Sequence, residues 1–244
     1  MYIVASSVQD DLDKVRRTFP DIWRQIRRFN RPVQLAIAAG IEVALYADAP
    51  ETATLISVAP SHPGSPEIFS WAHHLMETRK DGDFSGAKMN PTHTLHAVDN
   101  LALSSLAIAL RNHSYCIGLG GSPGQSWEAL QMALEKNTDA DSEVILVAGD
   151  QENALSISLS AGVAFLLSSK QNKHVSLMKS ILIKGILHSS LSAPVEPDLH
   201  SAKGFVNLAA FISRTDGFAG TLTYDVPPEQ GNGAEQFTIV MELS

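Results

Sequence analysis

CIGLGGSPGQSWEAL, Cys116 to Leu130, begins in a β-rich apolar run, passes through four glycines and enters a segment of helical period. A strand, a tight glycine turn and a helix in immediate succession form one unit of an alternating α/β pattern. The surrounding chain repeats it. TATLISVAP, residues 52–60, reads as a buried strand stopped by SHPGSP. LALSSLAIAL reads as a helix ended at Asn112 and His113, and SYCIGLG as a second buried strand. GQSWEALQMALEK follows as a helix, with SEVILVAGD and GVAFLLSS as third and fourth strands. The expectation is an α/β layered fold of helices on a mixed sheet.

Toward the N-terminus, Leu12, Val15, Phe19, Ile22, Trp23 and Ile26 recur near helical spacing. Pro20 interrupts them, so two short helices are expected. Pro32 suits the first turn of a helix, and VQLAIAAGIEVALYADA after it reads as a long helix packed closely through its alanines and Gly40. PEIFSWAHHLMETRK has helical period, KDGDFSG is a loop, and MNPTHTLHAVDN is irregular. Beyond Gln171 the pattern weakens. SLMKSILIKGILHSS fits strand or helix, HSAKGFVNLAAFISR a helix, and EQFTIVMEL a closing strand.

Composition narrows the function classes. The 244 residues are 44% hydrophobic and 18% charged, enough apolar material for a sizeable core, and one domain over 1–244 is the expectation. A net charge of −8 argues against nucleic acid or an anionic membrane as the main partner. Against that balance Arg24, Arg27, Arg28 and Arg31 cluster, either as a solvated helix face or as a docking patch for an acidic partner. No apolar run reaches the ~18–20 residues that cross a bilayer, so no membrane insertion is expected. MYIVASSVQDD carries no readable secretory signal, and the single cysteine fits a reducing compartment, so the cytoplasm is expected.

The opening stretch invites three chemical readings. As a phosphate loop it lacks the Lys-Ser/Thr pair, and Gly118, Gly120 and Gly124 are spaced one residue too long for a dinucleotide fingerprint. As a nucleophile elbow at Ser126 it has Gly124 but places Glu at position 128. Cys116 could be a nucleophile, yet its place within an apolar strand predicts a buried, inert thiol. His73, His74, His93 and His96 lack the spacing of a zinc helix, so neither metal nor cofactor is expected.

Taken in order, RRFNRPVQLAIAAGIEVAL, SVAPSHPG, NPTHTLHAVDNLALSSLAIAL, SYCIGLGGSPGQSWEALQMAL and VILVAGDQ…GVAFLLSS resemble the N-terminal half of the β-ketoacyl synthases. Within that family the likeness is to the short chain-length-factor type of bacterial aryl polyene biosynthesis. It covers about residues 27–169, with 170–244 expected to complete the sheet layers of a thiolase-like fold truncated relative to a full ketosynthase. The resemblance places Gly121 where an active ketosynthase carries its cysteine, and neither histidine motif of the family occurs. Without thiolate and histidines there is no group to hold the acyl chain or to stabilise the enolate of a Claisen condensation. No independent condensing activity is therefore expected.

The resemblance further implies a partner. Family members dimerise by pairing the strand before the catalytic turn across a two-fold axis, which assigns Ser114, Tyr115, Cys116, Ile117, Gly118 and Leu119 to an interface. The alternative is an ordinary central strand. Leu119, Gly120, Gly121 and Ser122, with Asn100 ahead of the preceding helix, would border an acyl tunnel. Trp127 is either its bulky stop or simple core. The implied function is a non-catalytic chain-length-factor subunit of a β-ketoacyl synthase, serving an acyl carrier protein that docks on the arginines. The rivals are a compact thiolase-like acyltransferase or decarboxylase using Cys116, His62 or His96, and a homodimeric carrier-protein binder.

Overall fold

The computed structural model describes residues 1–60, 73, 77, 100–120, 125–136, 142–153, 156–170, 181–191, 203–214, 220–226 and 234–243. Among them the elements run β1 (Tyr2–Gln9), α1 (Leu12–Thr18), α2 (Pro20–Ile26), α3 (Arg31–Ala44), β2 (Thr54–Val58), α4 (Leu101–Ala109) and β3 (Cys116–Leu119). There follow α5 (Gln125–Lys136), β4 (Glu143–Asn153), β5 (Ser156–Ser168), β6 (Ile181–Leu191), α6 (Lys203–Arg214), β7 (Gly220–Val226) and β8 (Ala234–Leu243). The strands form one mixed sheet in the order β3-β2-β4-β5-β1-β6-β8-β7.

Local chemistry sets the N-terminal helices. Asp11 caps α1 by accepting from the Asp13 N–H at 2.8 Å, and Phe19, held out of helical geometry before Pro20, separates α1 from α2 as the sequence predicts. Asn30 caps α3, whose Leu35, Ile37, Ala38 and Ala39 are wholly buried. Gln34 ties the two layers of helix together, donating to the Ile26 and Phe29 carbonyls at 3.1 and 2.9 Å.

Helix α3 lies on one face of the sheet with α4, against Leu55, Ile145, Val147 and Leu166; α5 and α6 cover the other, against Ile56, Val58, Leu146 and Phe165. The seat of α3 is a cross-strand glycine pair, Gly149 of β4 opposite Gly162 of β5. A Cβ on Gly162 would stand 2.1 Å from the Leu35 carbonyl carbon, and one on Gly149 would stand 2.3 Å from the Pro32 oxygen. Backbone rests directly on backbone there. Gly40, expected as a close-packing position, meets Leu106 and Val147.

Three readings change. β3, read from its apolar run as a second buried strand and from the resemblance as an interface strand, is the edge of the sheet: it pairs with β2 alone among the described strands, in parallel, and its residues alternate exposed and half-buried. β1, unassigned from sequence, pairs with β5 along its length and with β6 through Tyr2 and Ile3. The ambiguous segment SLMKSILIKGILHSS, residues 176–190, is strand from Ile181 on as β6, and the C-terminal strands β6, β8 and β7 extend the same sheet, while α6 packs over the first half through Phe205 and Leu208. The helix expected over PEIFSWAHHLMETRK is seen only at His73 and Glu77, both helical and ion-paired at 3.6 Å; the rest of it lies outside the described residues.

Candidate functional site

β1, β4, β2 and β3 all run in one direction, with β5 reversed. The connection from β2 to β3 passes through α4 on one face, and that from β3 to β4 passes through α5 on the other. Connections that leave to opposite faces open a crevice at the carboxyl ends of the strands, the usual place for a ligand in an α/β sheet. Leu119, Val58 and Ala148 share one rung at this crest. Gly120 lies just beyond, with the Gln125 Oε1 3.3 Å from where its Cβ would be. The first turn of α5 therefore folds back over the end of β3.

The sequence-selected residues fall into three groups. Gly118, Leu119 and Gly120 reach the crest, and Asn100 joins them, its Cβ 3.4 Å from where a Gly118 Cβ would be. Asn100 precedes α4 without a side-chain cap bond. Ser114, Tyr115, Cys116 and Ile117 line the open edge, Tyr115 57% exposed with the Lys136 ammonium 4.5 Å above its ring. Trp127 is 1% exposed and edge-on to Phe205 in the apolar layer. Gly121, Ser122, His62, His74, His93 and His96 lie outside the described residues.

Cys116 corrects the sequence expectation. It is exposed, because it opens the edge strand of the described sheet. Partial desolvation nevertheless pushes the thiol pKa above its ordinary value, and Sγ donates weakly to Asn112 Oδ1 at 3.9 Å and the Ser114 carbonyl at 3.6 Å. It also sits at the opposite end of β3 from the first turn of α5, away from the helix dipole that would favour a thiolate.

The arginines stand at the crest end of the molecule. The first turn of α3 rests on Gly149 and Gly162, so Arg31 and the preceding α2 border the carboxyl ends of β4 and β1; Arg31 Nη2 donates to the carbonyl of Asp10, just after β1, at 2.6 Å. Arg24 in α2 and Arg27 and Arg28 directly after it are exposed, with Asp21 3.7 Å from Arg24. Arg16 and Arg17, exposed in the last turn of α1, are further basic residues not singled out from sequence.

Ser126, weighed above as a nucleophile, is in the first turn of α5 and only 2% exposed. Sequence reasoning missed Asp150, near the end of β4, which is completely buried. The signal for Asp150 was present: counting by two from Leu146 and Ala148 puts a carboxylate on their apolar face. Asn112 is a further omission, donating to the Pro50 and Ala53 carbonyls at 2.8 Å each and so fixing the loop before β3. Among the described residues no group of three metal-ligating side chains occurs, and no helix is long and apolar enough to cross a membrane.

No family model and no curated protein matches the sequence. Solved structures do match the fold. A chain in the complex of the ketosynthase ApeO with its chain length factor ApeC from Xenorhabdus doucetiae aligns over 98% of both chains, with a TM-score of 0.57 and 13% identity. A chain of AntDE:AntF, a type II polyketide acyl-carrier protein in complex with its ketosynthase, aligns over 98% of both at TM-score 0.64 and 8% identity. The ishigamide ketosynthase/chain length factor aligns over 91% of this chain and 85% of its own at 0.55 and 10%. The protein therefore has the thiolase-like ketosynthase fold.

Proposed function

We propose that the protein is a non-catalytic ketosynthase-like subunit of the chain-length-factor type, which pairs with an active β-ketoacyl-ACP synthase and shapes its acyl tunnel in aryl polyene synthesis. The observation that carries this reading is β3. It is bonded to a neighbour on one side only among the described strands, carries exposed Tyr115 and Cys116, and bears no charged side chain. An uncovered, uncharged strand edge is a template for pairing, and a partner strand would satisfy its outward amides. The fold neighbours agree with this, since two of them are named as ketosynthases with chain length factors. Gly121, at the position implied for the nucleophile, supplies none. The arginines at the crest end suit a carrier protein bringing an acyl chain to that end.

Co-expression with a candidate ketosynthase and purification on a single tag tests the pairing: the two chains are expected to elute together, and a stable monomer or homodimer without the ketosynthase would sink the reading. In the complex, Gly121→Phe is expected to shorten the products. The rival enzyme reading makes the opposite prediction at Cys116. A slow reaction with iodoacetamide at neutral pH is expected from the raised thiol pKa, whereas rapid alkylation together with loss of an activity of the isolated chain in Cys116→Ser would favour the enzyme.

A further inference from the structure

The two helices that flank β3 differ in what they present outward. α5 turns Glu128, Gln131 and Glu135 to water, as a solvated helix does. α4 carries no charged residue from Leu101 to Leu110 and is apolar on every side apart from Ser104 and Ser105. A helix of that kind is normally covered all round. Yet Ile108 is 72% exposed, more than any other large hydrophobic side chain among the described residues. The packing of α4 shows which way this bare side faces. Leu103 stands over Gly118 of β3, and Leu106 lies against Gly40 of α3. At about 3.6 residues per turn, Ala107, Ser104 and Ile108 continue round the helix from Leu103 on the side away from Leu106. That flank overhangs the open side of β3.

We infer that Ser104, Ala107 and Ile108 form an interaction surface that receives an uncharged helix face of the ketosynthase pairing at β3; this rests on the subunit function proposed above. The strand alone is too small to hold a partner. Its four residues run roughly 13 Å, whereas an obligate interface buries about 2,000 Å² or more. A strand added at the free edge of β3 would lie beneath the bare flank of α4, so the two surfaces are continuous. Ile108 is the anchor of the contact. Ser104 and Ala107 beside it are small enough to let a second helix approach closely. Covering Ile108 removes apolar surface from water, and no charge on this flank has to be desolvated.

The test co-expresses a tagged candidate ketosynthase with the full chain and measures how much of the chain is retained, alongside the melting temperature and oligomeric state of the isolated chain. Ile108→Asp is expected to cut co-purification at least tenfold while the isolated chain melts as the parent does. Leu45→Asp, at a 70% exposed apolar position after α3, is expected to leave co-purification unchanged. Hydroxyl-radical footprinting of the parent complex needs no variant and decides the matter if Ile108→Asp does not fold: modification of Ile108 is expected to fall at least threefold on pairing. Parental co-purification of Ile108→Asp, an unprotected Ile108, or an equal loss in Leu45→Asp overturns the α4 surface while pairing at β3 stands. A homodimer of the isolated chain that Ile108→Asp dissociates makes a second copy the occupant and overturns it too. If the parent retains no ketosynthase, the subunit reading fails and this surface fails with it.

Discussion

Glycines at the centre of the sheet and at its edge answer to different constraints. At Gly149 and Gly162 an added Cβ would strike the backbone of α3 at 2.3 Å and 2.1 Å, and a helix backbone cannot retreat without unseating its whole buried face. At Gly118 on β3 the nearest atoms are the Asn100 Cβ at 3.4 Å and Leu103 Cδ2 at 3.5 Å, ordinary van der Waals contacts. The central pair is required by the chain's own packing. The edge glycine is not, so any close approach that requires it comes from beyond β3. The difference separates residues that make the fold from residues available to a partner.

The largest expected effect breaks the central side of this contrast. Gly162→Ala should destabilise the protein by about 3 kcal/mol or more, because the overlap is with backbone rather than a flexible side chain, and a thermal or urea melt would show it. A loss below ~1 kcal/mol would mean that α3 does not rest there. At the edge, Gly118→Ala should leave stability within about 1 kcal/mol of the parent. Gly118→Pro sharpens the point. Leu55 and Ala59 donate to the carbonyls of Tyr115 and Leu119, so the odd-numbered residues of β3 face β2 and the Gly118 N–H points outward. Removing it should spare the monomer's ladder yet reduce co-purification with a ketosynthase at least tenfold.

Smaller effects probe the loops that flank the edge. Arg111 holds φ at +52° after α4, where a non-glycine side chain is strained, so Arg111→Gly should raise stability by about 0.5–1 kcal/mol in denaturant melts if the strain exceeds glycine's entropic cost. Glu143 begins β4 and accepts from the Asp48 and Ala49 N–H groups. Desolvation is the main cause that raises its pKa, aided by the Asp48 carboxylate and opposed by those two hydrogen bonds. A raised carboxyl pKa favours folding with the proton on. That contribution is full below the ordinary glutamate value of about 4.3 and is lost as the pH climbs through the raised value. Glu143→Gln should therefore melt slightly higher than the parent at pH 7, with the advantage vanishing toward pH 4.

Much of this was legible in the sequence. The break at Pro20, the apolar run of α3 and the strand-turn-helix at 116–130 are local, because ring geometry, capping and hydrophobic period act within a few residues. β1 was less so: YIVASSVQ carries three polar residues and becomes a strand through its pairing with β5. The same limit hid the complete burial of Asp150, which local periodicity does not record. For Cys116 the residue type and apolar neighbours argued for burial, whereas exposure was set by which strand ended the sheet.

The sequence by itself determined the alternation of strands and helices and the basic cluster at residues 24–31, both of which rest on residue identity and spacing. Only the tertiary structure decided that β3 pairs on one side only among the described strands, that the arginines stand at the carboxyl ends of the strands, and that Asp150 near the end of β4 is completely buried. Those are matters of strand order and of which helix covers which face. They arise from contacts between residues far apart in the chain, and short-range periodicity carries no record of them.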